Sequence, residues 1–336
     1  MFRTSLLTSA VVLGTASAAL ADAPHVTTDI APIQSIVARV MQGVGQPDVI
    51  LPPGASPHEH AMKPSEARAL QQSDVVFWVG EALTPWLEKP ISSLASDATA
   101  IELMAVEGTL VLPFRTDLAF GAGQDQTDAD HAGDVDHDHD HDHDHDHDHD
   151  HDHQDDHTPD HAHSHSGQDP HIWLDPQNAI VWTRLIARTL EQADPANATT
   201  YAANAAAAEA ELSTLTEELS ARLKTGKDIR FITFHDAYQY FEHRFDVPAT
   251  GAISESDARA PSAARMAGIR DLVAQQRVHC IFAEPQFNTG LVDTVFADAG
   301  VKLAVIDPLG TQFSAGPALY PDLIRDIGEK MAACGG

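Results

Sequence analysis

Four stretches of the 336-residue chain carry side chains able to hold a metal ion or move a proton. They are Gly54-Ala55-Ser56-Pro57-His58-Glu59-His60, Asp169-Pro170-His171-Ile172-Trp173-Leu174-Asp175-Pro176, Thr233-Phe234-His235-Asp236-Ala237-Tyr238 and Ile306-Asp307-Pro308-Leu309-Gly310. Neutral imidazole nitrogens bind Zn2+ at about 2.0–2.1 Å and carboxylate oxygens at similar lengths, so three His and one oxygen ligand make a tetrahedral zinc set. A carboxylate-rich set would favour Mn2+ or Mg2+. A single His at a strand end is more often packed or capping than a ligand. The argument therefore rests on the combination.

Other chemistries find less support. Three His and a water also make a catalytic zinc set, but no base-and-nucleophile arrangement accompanies them, and an Asp ligand would close the site. No G-x-x-x-x-G-K-[ST] phosphate loop, G-x-S-x-G elbow or H-E-x-x-H helix occurs. The chain reads as a binder and not an enzyme. Trp173 reads as packing support for the loop of His171. Glu284, at a strand end, reads as a lobe anchor or as a hydrogen-bond partner of a ligand His. The 50 acidic residues against 20 basic ones, a formal charge of −30, argue against nucleic acid or an anionic membrane surface as partner.

Bringing four distant stretches together takes a folded scaffold, and 43% hydrophobic residues supply its core. Val49 to Leu51, Asp74 to Val79, Ile229 to Phe234, His279 to Ala283 and Lys302 to Ile306 read as strands. Ile30 to Val44, Pro64 to Gln72, Pro261 to Gln275, Thr289 to Ala299 and Ala318 to Ala333 read as helices. This alternation predicts an α/β fold of two (β/α) lobes with parallel sheets. Ligands of such sheets bind beyond the carboxyl ends of strands. Three of the four stretches follow such an end; that of His171 does not. The Ala-rich run from Pro176 to Leu223 is broken once, at Asp194-Pro195, with Asp194 a candidate N-cap. The piece from Pro195 to Lys224 would be about 45 Å long as a helix. It is the candidate rigid linker, and a helix in that place predicts limited hinge bending. The expected layout is an N-terminal lobe over 22–193, a linker helix over 194–224 and a C-terminal lobe over 225–336, with the site in the cleft between lobes.

Residues 121–169 interrupt the first lobe with 17 Asp, 14 His and neither Lys nor Arg. So little apolar surface cannot offset ordering entropy, and a disordered loop is expected. From His137 to His153 the order is strictly His-Asp-His-Asp. Its carboxylates would draw divalent cations inward and its imidazoles would offer many weak sites, so the tract reads as an aid to metal capture or a sensor of metal abundance.

The first 21 residues read as a signal peptide, with Arg3, an apolar run from Leu6 to Ala19 and an Ala19-Leu20-Ala21 cleavage signal. The run is about 14 residues, short of the roughly 20 that span a bilayer. Export into a bacterial periplasm, without stable membrane insertion, is expected. In an oxidising compartment Cys280 and Cys334 are expected to pair. Closing that 54-residue loop would stabilise the fold by about 4 kcal/mol.

The segments GASPHEHAMKPSEA, DPHIWLDP, TFHDAYQYFE, IFAEPQF and IDPLG resemble those of the cluster A-I (family 9) periplasmic metal-binding proteins of ABC importers, closest to the ZnuA-type zinc-uptake proteins. The resemblance runs from about residue 25 to 334, leaving out the His/Asp tract. It implies two lobes joined by one rigid long helix, with metal buried between them. It implies His58, His171 and His235 as imidazole ligands of Zn2+, and its last-lobe carboxylate maps onto Asp307. In some zinc members a water, or the acidic residue after the first His (Glu59 here), takes that fourth place. Manganese relatives usually place Glu where this chain has His235, which favours zinc. The C-terminal disulfide of zinc members maps onto Cys280 and Cys334. The implied partner is the inner-membrane permease of an ABC transporter, served by a monomer that delivers Zn2+ for import. Manganese or iron uptake, and a periplasmic zinc buffer without a transporter, stay as alternatives. His60 is a further imidazole without an assigned role.

Overall fold

The computed structural model describes residues 23–115, 117–120, 167–225, 229–254, 261–285, 296 and 300–335. The expected signal peptide, nearly all of the His/Asp tract and the expected helix Thr289 to Ala299, apart from helical Phe296, lie outside the described residues.

Two four-stranded parallel sheets centre the two lobes, as the alternation predicts. In the first, β1 (Val26–Thr28), β2 (Asp48–Val49), β3 (Val75–Trp78) and β4 (Thr99–Glu102) lie in the order β2-β1-β3-β4. In the second, β5 (Phe231–His235), β6 (Gly251–Ser254), β7 (Cys280–Ala283) and β8 (Lys302–Val305) repeat it as β6-β5-β7-β8. Each sheet therefore reverses its winding once, between β1 and β3 or between β5 and β7. A crevice opens at the carboxyl ends of each such pair. Strands β3, β5 and β7 are buried throughout, as inner strands of parallel sheets covered on both faces must be. Alternate residues serve different packing layers: Val75 and Phe77 join the main core, Val76 and Trp78 a smaller cluster behind the sheet.

Helices α1 (Ala31–Val40), α2 (Pro64–Gln71) and α3 (Glu88–Leu94) belong to the first lobe. The next helix, α4 (Pro176–Ala193), opens on Asp175, whose Oδ1 accepts from Gln177 N at 2.8 Å, with Pro176 just inside the start. The break at Asp194 is as expected, but Asp194 does not open the long helix directly. A 3-10 turn, Pro195–Asn197, intervenes, and the Asp194 carboxylate accepts from Asn197 Nδ2 (2.7 Å) and the Tyr201 hydroxyl (2.9 Å). Helix α5 (Ala198–Thr225) then runs 28 residues, about 42 Å. The second lobe contributes α6 (Gln239–Phe245), α7 (Ala263–Gln276) and α8 (Leu319–Cys334).

The buried stripe of α5, from Tyr201 through Ala205, Ala208, Leu212, Leu215 and Leu219 to Leu223, recurs every three or four residues. It packs against α4, α1 and α8. At Gly328 of α8 an added Cβ would lie 2.6 Å from Leu219 Cδ2, so a larger residue there would make the Leu219 side chain shift. One apolar core runs from Val26 through Leu190 and Leu219 to Met331, and the two lobes share it. Cys280 and Cys334 form a disulfide with Cα atoms 5.8 Å apart, tying β7 to the end of α8. Among the described residues, no helix is long and apolar enough to cross a membrane.

The crevice of the first sheet is closed by Asp29, which follows β1. Its Oδ1 accepts from Ile30 N (2.8 Å) and its Oδ2 from Val79 N (2.7 Å) at the end of β3. Burial pushes Asp29 up to about 7, against the pull of those N–H donors. Its ordinary value is 3.8, so the folded state holds the proton more tightly than the unfolded chain. The stabilisation is complete below about pH 4 and is lost as pH rises towards 7. The stability of the wild type relative to Asp29→Asn is expected to fall across that window, read by urea titrations in EDTA. A difference that does not vary with pH would refute the assignment.

Candidate metal centre

His58, His171 and His235 meet at a small cavity that Pro57, Trp173, Pro308 and Leu309 also line. His235 is the last residue of β5 and Glu284 directly follows β7, so the two flank the crevice of the second sheet. His58 comes from the loop between β2 and α2. That loop is held by Trp86 Nε1 donating to Pro57 O (2.7 Å) and by Ser56 Oγ accepting from His58 N (3.2 Å). His171 stands just before the 3-10 turn Ile172–Leu174, which leads into the N-cap of α4.

The rings of His58 and His171 have centroids 5.5 Å apart, and those of His171 and His235 are 5.2 Å apart. His171 Nδ1 lies 2.7 Å from Asp169 Oδ1, and His235 Nδ1 lies 2.5 Å from Glu284 Oε1. A carboxylate accepts, so each Nδ1 carries the hydrogen and each Nε2 presents its lone pair. The two Nε2 atoms stand 3.4 Å apart. Two nitrogens bound at 2.0–2.1 Å to one tetrahedral ion are separated by about 3.4 Å. The pair thus has the spacing of two ligands. Among the described residues, no three His, Cys, Asp or Glu side chains already stand in full ligation geometry. His171 and His235 are 4% and 3% exposed, whereas His58 is half-buried on its loop.

Both supporting carboxylates are fully buried. Burial pushes Asp169 up to about 7, opposed by the His171 N–H and by the charge of Arg115. Asp169 lies in the stretch expected to be disordered, and the structure corrects that boundary. Phe114 N donates to Gly167 O (3.0 Å), Asp169 N donates to Leu112 O (2.8 Å), and Pro113 pairs with Gln168 in an antiparallel bridge. Gly167 to Asp169 are ordered because these backbone groups find partners there. Asp169 is thus a site residue that composition concealed; the available signal was a carboxylate two residues before an imidazole.

Asp307 is buried, but its carboxylate serves its own turn. Oδ1 accepts from Leu309 N (2.9 Å) and Oδ2 from Thr311 N (2.6 Å) and the Thr311 hydroxyl. Its neighbours Pro308 and Leu309 form the cavity wall, and Trp173 Nε1 donates to Pro308 O at 2.7 Å. Trp173 therefore supports the His171 loop and couples it to the Asp307 turn. Glu59 is exposed. His60 takes a bracing role: its Nε2 is 2.8 Å from Glu66 Oε2, and its ring packs edge-on against Trp86 at 5.0 Å.

A family model described as "ZnuA: Zinc-uptake complex component A periplasmic" matches residues 26–334. The chain belongs to this family. It is similar to the high-affinity zinc uptake system protein ZnuA of Brucella abortus (strain 2308), at 44% identity over 329 residues, covering 98% of this chain and 97% of that protein. The protein of the same name from Paracoccus denitrificans (strain Pd 1222) is 44% identical over 336 residues, covering 99% of each. Among solved structures, a crystal structure of ZnuA matches with a TM-score of 0.71 at 21% identity, covering 94% of this chain and 100% of that one. The binding protein FpvC of Pseudomonas aeruginosa, solved in complex with Mn2+, matches at 0.68 with 21% identity, covering 93% and 98%. These two likenesses establish the two-lobed α/β fold. The family is a periplasmic transport component.

Glu284 fixes the tautomer and the orientation of His235. Its replacement by Ala is expected to weaken divalent-metal binding about 10–100-fold, read by competition with a chromogenic chelator. Binding as tight as in the wild type would detach Glu284 from the centre.

Proposed function

We propose that this chain captures Zn2+ in the periplasm between its two lobes and passes it to the inner-membrane permease of an ABC importer. The single observation that carries the reading is the buried pair of Nε2 atoms 3.4 Å apart, each backed by a carboxylate on Nδ1. The proposed ligands are His58, His171 and His235. Asp307 would complete the set on releasing Thr311, and Glu59 would have to turn inward to compete with it. An imidazole-rich set favours zinc over manganese. The functional units are the lobes 22–193 and 225–336 with the linker 194–224, acting as a monomer. Each imidazole must be neutral to bind, so acid weakens the site.

In the reading proposed here, the His/Asp tract gathers Zn2+ at many weak sites and raises its local concentration beside the cleft. Its deletion should spare Gly167, whose carbonyl holds Phe114.

Isothermal titration of His171→Ala with Zn2+ is expected to lose the tight step and keep the weak steps of the tract. A tight step equal to that of the wild type contradicts the ligand assignment. Removal of residues 124–165 is expected to leave the tight step in place while slowing capture from a zinc-loaded donor and lowering total stoichiometry. If neither rate nor stoichiometry changes, the role of the tract is lost.

A further inference from the structure

Helix α6 follows His235 closely and is tied to the first lobe at four positions, three of them to the chain around His171. The Tyr240 hydroxyl donates to Asp169 O (2.6 Å) and accepts from Leu112 N (2.8 Å). With its amide turned to suit its neighbours, Gln239 Nε2 donates to Asp169 Oδ2 (3.0 Å) and Pro113 O (3.1 Å). Arg244 donates through Nε and Nη2 to the two oxygens of Asp175, each at 2.7 Å. The fourth tie is Glu242, which is bound by Arg115.

The Arg115 guanidinium reaches from the segment after β4 into the second lobe. Its Nη1 donates to Glu242 Oε2 (2.6 Å) and its Nη2 to Glu242 Oε1 (3.0 Å). Its Nε donates to Asp236 Oδ2 (2.9 Å), and Nη2 also donates to Asp236 Oδ1. The guanidinium stacks 3.8 Å from the centre of the Phe120 ring. Asp236 and Glu242 are 6% and 4% exposed, and Asp236 directly follows His235. Arg115 is the cation that faces all three interior carboxylates here, Asp169, Asp236 and Glu242. A planar fork can hold two carboxylates at fixed angles, which a point charge cannot.

We infer that Arg115 is a positioning residue for metal binding: by clamping Asp236 and Glu242 it fixes the end of β5 and the first turn of α6, and with them the His171–His235 nitrogen spacing. Arg115 does not touch the ion. The inference rests on the proposed ligand pair.

The test compares full-length wild type with Arg115→Ala, Arg115→Lys and Glu242→Gln. Arg184→Ala serves as a control, because its pairing with Glu209 (2.7 Å) lies on the exposed side of α4 and α5. Two quantities are read: zinc release into excess chelator, and the visible d–d spectrum of Co2+ bound in place of Zn2+. The spectrum reports coordination geometry, which a mere loss of stability would not alter. Arg115→Ala is expected to release zinc roughly tenfold faster or more and to lose tetrahedral Co2+ intensity. Arg115→Lys falls between it and the wild type, and Arg184→Ala matches the wild type. If Arg115→Ala does not fold, Glu242→Gln carries the same expectation and decides the matter. Wild-type release and spectrum in the variant that folds would overturn the clamp. His171→Ala, measured alongside, separates the two ideas: tight binding there sinks the ligand pair itself, whereas lost binding there with an unaffected Arg115→Ala sinks only the clamp.

Discussion

Two imidazole lone pairs held 3.4 Å apart repel each other unless a metal ion or a shared proton lies between them. That spacing is the constraint on which the rest of the structure turns. A zinc ligand must be placed to within about half an ångström, and His171 and His235 arrive from different lobes. The buried carboxylates of Asp169 and Glu284 turn both ring hydrogens outward, so neither imidazole can relieve the repulsion by rotating a hydrogen inward without losing a bond to a carboxylate. The shared apolar core and the ties of α6 keep the two supports from drifting apart.

The two sheets have the same strand order but unequal tasks. In the second, the crevice between β5 and β7 is used directly, with His235 on one side and Glu284 on the other. In the first, the equivalent crevice is sealed by Asp29, which bonds across from β1 to β3. The first sheet instead offers His58 from the loop beyond its edge strand β2. The first lobe thus presents a buried imidazole, His171, beside a half-buried one, His58, whose exposure follows from its place on a loop.

Much of this was legible in the residues. Val75-Val76-Phe77-Trp78 and Phe231-Ile232-Thr233-Phe234 are short, β-branched and aromatic runs of the kind that strands buried on both faces carry, and Asp175-Pro176 marks a helix start. The three His stretches were recognisable because each carries a ligand type at an element boundary. Strands β1, β4 and β6 carry no such signal: Val-Thr-Thr and Gly-Ala-Ile-Ser are too short to show a period, and their order comes from pairing with partners far along the chain. Arg115 was invisible because its partners Asp236 and Glu242 lie 121 and 127 positions away. The turn-capping bonds of Asp307 follow the local Asp-Pro-Leu-Gly-Thr order, a turn signal that its candidacy as a ligand overshadowed.

On either side of residues 121–166 the chain is fastened. Phe120 N bonds to Thr250 O at 2.9 Å, Ala119 bridges Gly251, and Gly167 bonds back to Phe114. An insertion moored at both ends changes the closure entropy only slowly with its length. A change in the number of His-Asp units between these moorings would then leave the fastened backbone on either side, and the buried imidazoles beyond it, in place.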